Sequence, residues 1–153
     1  MAGERDRILL VIAPYYEDVA AELERGARRA LAFSGFAVDR LEVPGAFEIP
    51  AAIAAAERGG GYAGYIALGC VIRGETSHYD HVCQECARGL MELAVRDGLA
   101  IGFGVLTVET HQQAVARAAV DAGRDTGGEA ARAALAIIAV QRRFAGADSG
   151  GSR

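Results

Sequence analysis

Residues 63–72, AGYIALGCVI, form a run that is apolar almost throughout, and this run decides the fold. A strand with one face in water alternates apolar and polar side chains, whereas a strand covered on both faces is apolar along its whole length. Further strand-like runs flank it at residues 7–13, 36–43 and 99–108. The sequence therefore predicts four strands, of which the third is covered on both faces.

Helical patterns separate these four runs. After the first run, apolar residues recur at three- and four-residue spacing, which is typical of one face of a helix. These residues are Val19, Leu23, Ala27, Ala30 and Leu31. Further helices are predicted at residues 49–58, 78–95, 112–121 and 129–144.

The alternation of strands and helices predicts the fold class. Short loops between them imply right-handed crossovers and a parallel sheet with helices on both faces. We predict an α/β fold, a three-layer α/β/α sandwich with a flavodoxin-like parallel four-stranded sheet. Residues 1–144 are expected to form a single domain, and the small, polar residues 145–153 a disordered tail.

Charge and composition exclude several classes of function. The net charge is −4, whereas nucleic-acid binding needs a basic patch, so we expect no nucleic-acid partner. All 16 basic residues are arginines, and the absence of lysine excludes a lysine Schiff base. The apolar run at residues 8–13 is too short to span a membrane. Three cysteines, an odd number, fit a reducing compartment, so we expect a cytoplasmic protein without a membrane partner.

Unusual residues follow the third predicted strand, and parallel sheets bind ligands at the carboxyl ends of their strands. In GETSH, residues 74–78, Ser77 forms a capping box with Asp80 and should start the third helix. Backbone N–H groups at this positive helix end would bind an anion, and His78 beside them could accept a proton. The segment suggests a phosphorylated substrate and proton transfer. The alternative is an ordinary helix cap with a surface histidine.

Two other loops offer binding groups, and each has a structural alternative. In PGAFEIP, residues 44–50, Glu48 could accept hydrogen bonds from ligand hydroxyls or stabilise its own helix N-terminus. Tyr15 and Tyr16 directly follow the first strand. They could stack on a flat heterocycle or pack at the start of a helix.

The helix after the fourth strand begins with a second capping box, formed by Thr110 and Gln113. Arg117 lies on this helix. From the local pattern alone, a single arginine at such a position would ordinarily face solvent.

His78, His81, Cys83 and Cys86 look like a zinc-ligand set that contains a CxxC pair. At about 100° per residue, their side chains spread over about 200° of the helix surface, so they cannot converge on one tetrahedral ion. The two cysteines lie inside the helix rather than at its N-terminus, where a redox pair gains reactivity. We therefore expect no metal site and buried, inert thiols.

Three longer runs resemble the lumazine synthase family. They are PGAFEIP at residues 44–50, ALGCVIRGETSHYDHVCQECARGL at 67–90 and GFGVLTVETHQQAVARA at 102–118, in the order and approximate spacing of the family. The resemblance extends over about residues 8–144. It implies a transferase that condenses 5-amino-6-(D-ribitylamino)uracil with 3,4-dihydroxy-2-butanone 4-phosphate in the penultimate step of riboflavin biosynthesis. No metal or organic cofactor is implied.

The resemblance also implies roles for matched positions. His78 would be the general acid and base. Expected substrate contacts are Tyr15 by stacking, Ala46, Phe47 and Glu48 beside the ribityl chain, Cys70, Val71 and Ile72 at the pyrimidine, Gly74, Glu75, Thr76 and Arg117 at the phosphate, and Phe103 as an aromatic lining. Phe103 and Arg117 would come from a neighbouring subunit, so the site would lie between subunits of a homo-oligomeric ring.

Three features differ from the usual pattern of the family. Tyr15 stands where phenylalanine or tryptophan is common. Asp121 and Arg124 occupy the region that often carries two lysines, which makes the phosphate pocket less positive unless Arg124 compensates. A long loop at residues 124–128 and a short N-terminal arm favour a free pentamer over a closed shell. The missing lysines also motivate an alternative, a ring protein that binds flavin or lumazine with weak catalysis.

Overall fold

The structure, a computed structural model, describes residues 6–150. Within this range the strands are β1 (Arg7–Ile12), β2 (Ala37–Glu42), β3 (Gly64–Ile72) and β4 (Ile101–Val108). The helices are α1 (Glu17–Leu31), α2 (Ile49–Arg58), α3 (His78–Arg96), α4 (His111–Ala118) and α5 (Thr126–Gly150), and a 3₁₀ turn covers Ala46–Glu48. All strands are parallel, in the order β2-β1-β3-β4. The predicted α/β fold with a parallel four-stranded sheet is confirmed.

Side chains of β1 alternate between the two faces of the sheet. Ile8 and Leu10 belong to a core that also contains buried residues of α1, α4 and α5, such as Leu23. Leu9 and Val11 belong to a second core, shared with buried residues of α2 and α3 such as Ile53. This two-residue period places one helix layer on each face, which makes the three-layer sandwich.

Element boundaries differ most around the last two helices. The fourth helix was predicted to reach residue 121, but Ala119 has an extended ψ of 124° and α4 ends at Ala118. The last helix starts earlier than predicted because the Oδ1 atom of Asp125 accepts a hydrogen bond from the Gly128 N–H group at 3.1 Å. Such a bond satisfies an N–H group of the first helical turn, which has no partner within the helix.

The last helix also ends later than predicted. Residues 145–150, expected in the disordered tail, continue α5 as far as Gly150. Residues 151–153, the rest of the predicted tail, lie outside the described range.

Glycines let α5 approach β4 closely. A Cβ atom built on Gly102 would lie 2.0 Å from the carbonyl oxygen of Ala130, and one on Gly104 would lie 3.0 Å from Cβ of Ala130. The helix backbone therefore rests on the strand where side chains are absent. In residues 6–150, no helix combines the length and apolar character that a bilayer span requires.

Candidate active site

A cleft of about 590 Å³ lies at the carboxyl edge of the sheet, where β1 and β3 end. Its size is within the range of small-molecule sites. Of the predicted site residues, the cleft brings eight together: Tyr15, Ala46, Phe47, Glu48, Cys70, Val71, Ile72 and His78. These residues come from four separate stretches of the chain, so the parallel topology assembles them.

Two tyrosines at the end of β1 form the aromatic wall. The Tyr15 ring is 76% exposed and meets the Tyr16 ring edge to face, with centroids 4.9 Å apart. Tyr16 is half-buried and packs against the core between the sheet and α1. Tyr16 therefore packs at the start of a helix, which was one of the two predicted roles for these tyrosines. Tyr15 keeps a face available for a planar ligand.

The Ala46–Glu48 turn forms the opposite wall. Ala46 is buried, whereas Phe47 is 57% exposed. Glu48 occupies the N-cap position of α2, but its side chain makes no capping hydrogen bond. Its carboxylate instead lies over Gly45, where a Cβ atom would be 3.1 Å from Oε2. Helix capping does not engage the Glu48 oxygens, so they can accept hydrogen bonds from a ligand.

The end of β3 forms the floor through Cys70, Val71 and Ile72. Burial raises the pKa of the Cys70 thiol to about 11, so at neutral pH this thiol is protonated and is not a nucleophile. The strand is then tied to β4 by a hydrogen bond from the Arg73 N–H group to the Val108 carbonyl oxygen at 2.9 Å.

Arg73 also fixes the start of α3. Its guanidinium is 2.9 Å from a carboxylate oxygen of Glu109 and 3.4 Å from one of Asp80, and it lies 4.4 Å from the centroid of the Tyr79 ring. These contacts join the loop before α3 to the loop after β4. Glu109 raises the pKa of Arg73 further by hydrogen bonding, so its charge is permanent.

The predicted capping box at the start of α3 is wrong. Ser77 has helical backbone angles, φ −71° and ψ −1°, and its side chain accepts no cap hydrogen bond. A serine at an N-cap typically has an extended backbone, which lets its side chain turn back toward the helix N–H groups. Thr76 supplies a bond one residue earlier, because its Oγ1 accepts from the His78 N–H group at 3.3 Å. Asp80 pairs with Arg73 instead.

The other predicted site residues lie outside the cleft wall. Gly74, Glu75 and Thr76 form the exposed loop that leads into α3. Phe103, on β4, is 48% exposed on the face of the sheet that carries α3. Arg117, on α4, donates from Nη1 to the Gln113 carbonyl oxygen at 3.2 Å. None of these five residues reaches the cleft within the described chain.

The second capping box, at the start of α4, is confirmed in a shifted form. Thr110 Oγ1 accepts a hydrogen bond from the Gln113 N–H group at 3.2 Å. The Gln113 side chain returns to the N–H group of Glu109, at 2.8 Å, rather than to that of Thr110. This cap holds α4 at the same edge of the sheet as the cleft.

Sequence reasoning missed His81, which lines the cleft together with His78. The spacing of three residues on one helix was the available signal, but from the sequence His81 was considered only as a possible zinc ligand. Cys86 is buried in the core beneath α3, and burial raises the pKa of its thiol to about 11. The expectation of a buried thiol is confirmed for Cys86, but it is wrong for Cys83, which is only half-buried.

A smaller cavity of about 290 Å³ lies at the amino edge of the sheet, away from the residues predicted for the site. Its polar groups bind one another: the Tyr65 hydroxyl contacts the Glu57 carboxylate, and Gln141 Nε2 donates to the Gly98 carbonyl oxygen at 2.7 Å. In open parallel sheets, ligands bind at the other edge. The larger cleft is therefore the candidate active site.

The fold and the cleft define the class: a flavodoxin-like α/β protein with a small-molecule site at the carboxyl edge of its sheet. Comparison with known proteins is more specific, since the family model described as 6,7-dimethyl-8-ribityllumazine synthase matches residues 5–142. The chain belongs to the 6,7-dimethyl-8-ribityllumazine synthase family.

Individual relatives agree with this assignment. The 6,7-dimethyl-8-ribityllumazine synthase of Methylorubrum extorquens is 52% identical over 141 residues, which cover 89% of this chain and 81% of the relative. The 6,7-dimethyl-8-ribityllumazine synthase 1 of Rhizobium meliloti is 52% identical over 142 residues, covering 90% and 92%. The 6,7-dimethyl-8-ribityllumazine synthase of Novosphingobium aromaticivorans is 49% identical over 138 residues, covering 90% of this chain and 98% of the relative.

Proposed function

We propose that this chain is a transferase that condenses 5-amino-6-(D-ribitylamino)uracil with 3,4-dihydroxy-2-butanone 4-phosphate to 6,7-dimethyl-8-ribityllumazine, in riboflavin biosynthesis. The observation that carries the proposal is the convergence of Tyr15, Glu48 and His78 on one cleft. A stacking ring, a hydroxyl-binding carboxylate and a proton-transferring imidazole are the groups that this pair of substrates requires. The reaction itself is inferred from membership of the family.

The chemistry consists of positioning and proton transfer. The 5-amino group attacks the ketone of the phosphorylated substrate, and loss of water gives an imine. Elimination of inorganic phosphate creates a new carbonyl, and the ribityl-bearing nitrogen attacks it. Loss of a second water completes the ring. Every step moves protons, and holding both substrates in one cleft makes the ring closure effectively intramolecular.

The cleft residues take roles that fit their positions. His78, at the exposed start of α3, transfers protons as the general acid and base. Tyr15 stacks on the pyrimidine, and Glu48 accepts hydrogen bonds from the ribityl chain beside Ala46 and Phe47. Backbone groups at the end of β3, residues 70–72, bind the pyrimidine edge. No residue in this scheme requires a metal or an organic cofactor.

A second subunit completes the site. No arginine lines the cleft within residues 6–150, and the sequence has no lysine, so the phosphate would meet neither residue type of its own chain there. The loop at residues 74–76 offers it backbone N–H groups and the Thr76 hydroxyl. Arg117 and the exposed ring of Phe103 would complete the cleft of a neighbouring protomer. We propose a cytoplasmic homo-oligomer, a pentamer, with its active sites between subunits and one domain over residues 1–144.

The proposed reaction is tested by mixing both substrates with the purified protein and following lumazine absorbance and inorganic phosphate together. The two products should appear in equal amounts, and more slowly with the His78→Ala variant. Absence of turnover together with tight riboflavin binding would favour the flavin- or lumazine-binding alternative, which the missing lysines motivate.

The shared site is tested by mixing subunits. His78→Ala and Arg117→Ala oligomers are dissociated, combined and reassembled. If each site takes His78 from one chain and Arg117 from the next, part of the activity returns, since some sites receive both intact residues. No recovery would contradict a site between subunits. Sedimentation shows whether the particle is five chains of 15.9 kDa or a larger shell.

A further inference from the structure

We propose that His81 is a specificity residue that donates a hydrogen bond to a hydroxyl group of the substrate's sugar-alcohol chain beside Glu48. This inference rests on the proposed function and deepens it. His81 lines the same cleft as Glu48 and His78. It lies one helical turn after His78, and its side chain is exposed.

The contacts of α3 show which side of the helix carries His81. The buried residues of α3, Cys86 and Leu90, each lie about 20° from Tyr79 around the helix, so the side of α3 that carries Tyr79 faces the sheet. Gly89, about 80° from Tyr79 around the helix, faces α2, where a Cβ atom would be 2.9 Å from the side chain of Pro50. At about 100° per residue, His78 and His81 lie on the Gly89 side rather than the Tyr79 side. His81 therefore faces the Ala46–Glu48 turn, against which α3 packs.

Hydrogen-bond complementarity shows which hydrogen bond His81 can make with a sugar-alcohol chain. An ionised carboxylate such as Glu48 only accepts hydrogen bonds, whereas each hydroxyl of a polyol both donates and accepts. A polyol chain at this wall therefore leaves oxygen lone pairs that need a donor. On the wall formed by Pro44–Glu48 and the start of α3, the described side chains that carry a donor are His78 and His81. His78 transfers protons in the proposed reaction, which leaves His81 for the chain.

A neighbouring carboxylate belongs to the same side of α3. Glu85 lies four residues after His81, and Arg88 and, to a lesser degree, His81 hold the pKa of Glu85 below its ordinary value. Glu85 is paired with Arg88 at 2.7 Å, so its charge is already compensated.

The experiment separates the sugar-alcohol chain from the pyrimidine. Binding of two ligands to the assembled protein is measured by calorimetry: 5-amino-6-(D-ribitylamino)uracil alone, which cannot react without the second substrate, and 5,6-diaminouracil, which lacks the chain. The variants are His81→Ala, which removes the donor, and His81→Asn, which keeps an N–H group. Because His81 is exposed, both should fold, and circular dichroism checks this.

His81→Ala should weaken binding of the ribityl ligand by about two- to tenfold, the value of one hydrogen bond, and leave 5,6-diaminouracil unchanged. His81→Asn should recover part of the loss, and steady-state kinetics should show a raised KM for the uracil with kcat retained. An equal loss for both ligands, no loss, or a fall in kcat with an altered pH profile would overturn the inference. If wild-type protein binds the ribityl ligand but makes no lumazine, the proposed function fails independently of His81.

Discussion

Replacing Gly102 by alanine tests the close contact between β4 and α5. The added Cβ atom would lie 2.0 Å from the Ala130 carbonyl oxygen and 2.8 Å from its carbonyl carbon, whereas ordinary contacts begin at about 3.4 Å. The obstacle is helix backbone, so no side-chain rotation relieves it. Either α5 must move outward or β4 must bend, and both changes separate buried residues such as Ala134 and Leu106 from their neighbours.

Overpacking of this kind costs about 1–3 kcal/mol, and a backbone obstacle places Gly102→Ala near the upper end of that range, at about 3 kcal/mol. For a chain of this length, that loss corresponds to a Tm about 6–12 °C lower. Urea unfolding and thermal melting at fixed protein concentration measure the change, since oligomer stability depends on concentration. The cleft does not include α5, so kcat of the folded protein at low temperature should be retained.

Gly59→Ala provides the matched control. A Cβ atom there would make ordinary contacts of 3.5 Å and 3.6 Å, and the backbone φ of −83° suits any residue. We expect this variant to melt within a few degrees of the wild type. If Gly102→Ala and Gly59→Ala have equal stabilities, the close approach of α5 to β4 is not a constraint on the fold.

Four further predictions concern the site, the thiols and the pH dependence. His78→Ala should lower kcat about 10²-fold, because the proposed general acid and base is lost, and unchanged kcat would remove His78 from the mechanism. Arg117→Ala should raise KM for the phosphorylated substrate more than KM for the uracil, and an equal rise for both would contradict a phosphate role. Cys86, which is buried, should react with iodoacetamide much more slowly in folded protein than in protein unfolded in urea at the same pH. Rapid labelling at pH 7 would mean that the thiol is not buried. Arg7 lowers the pKa of Asp39, so this carboxylate stabilises the fold at neutral pH, and the contribution is lost as the pH falls through and below the ordinary aspartate pKa of about 4. In urea titrations, Asp39→Asn should therefore lose less stability than wild type on acidification.

The sheet and its helices were predictable because their signals are periodic and repeated. The run at residues 63–72 indicated a doubly covered strand, and β3 is buried over most of its length in the middle of the sheet. Helix α2 has the predicted boundaries, residues 49–58, since Pro50 marks its first turn and glycines follow its end. Hydrophobic burial acts along the whole strand or helix, so one atypical residue does not change whether that element forms.

Single-residue details were less predictable because they depend on tertiary contacts. The sequence around Ser77 fits a capping box, but Arg73 draws Asp80 toward Glu109, and Ser77 adopts a helical backbone. That competition involves residues 36 positions apart, which a local pattern cannot reveal. Convergence of the loops was predictable from topology alone, since the carboxyl ends of parallel strands share one edge. His81 was not assigned to the cleft because its orientation follows from the packing of α3.

The surroundings of Asp121 change how its charge should be interpreted. From the sequence, an acidic residue after Arg117 suggested a phosphate region less positive than usual. In the structure, the Asp121 carboxylate is 3.0 Å from Arg25 and 3.3 Å from Arg29, and Arg25 also pairs with Glu22 at 2.7 Å. These four charges compensate one another, and they fasten the loop after α4 to α1. Arg25 and Arg29 hold the pKa of Asp121 below its ordinary value, so the cluster persists at neutral pH. Asp121 therefore acts as an anchor for the end of the helix that carries Arg117, and its negative charge is already neutralised before any phosphate binds.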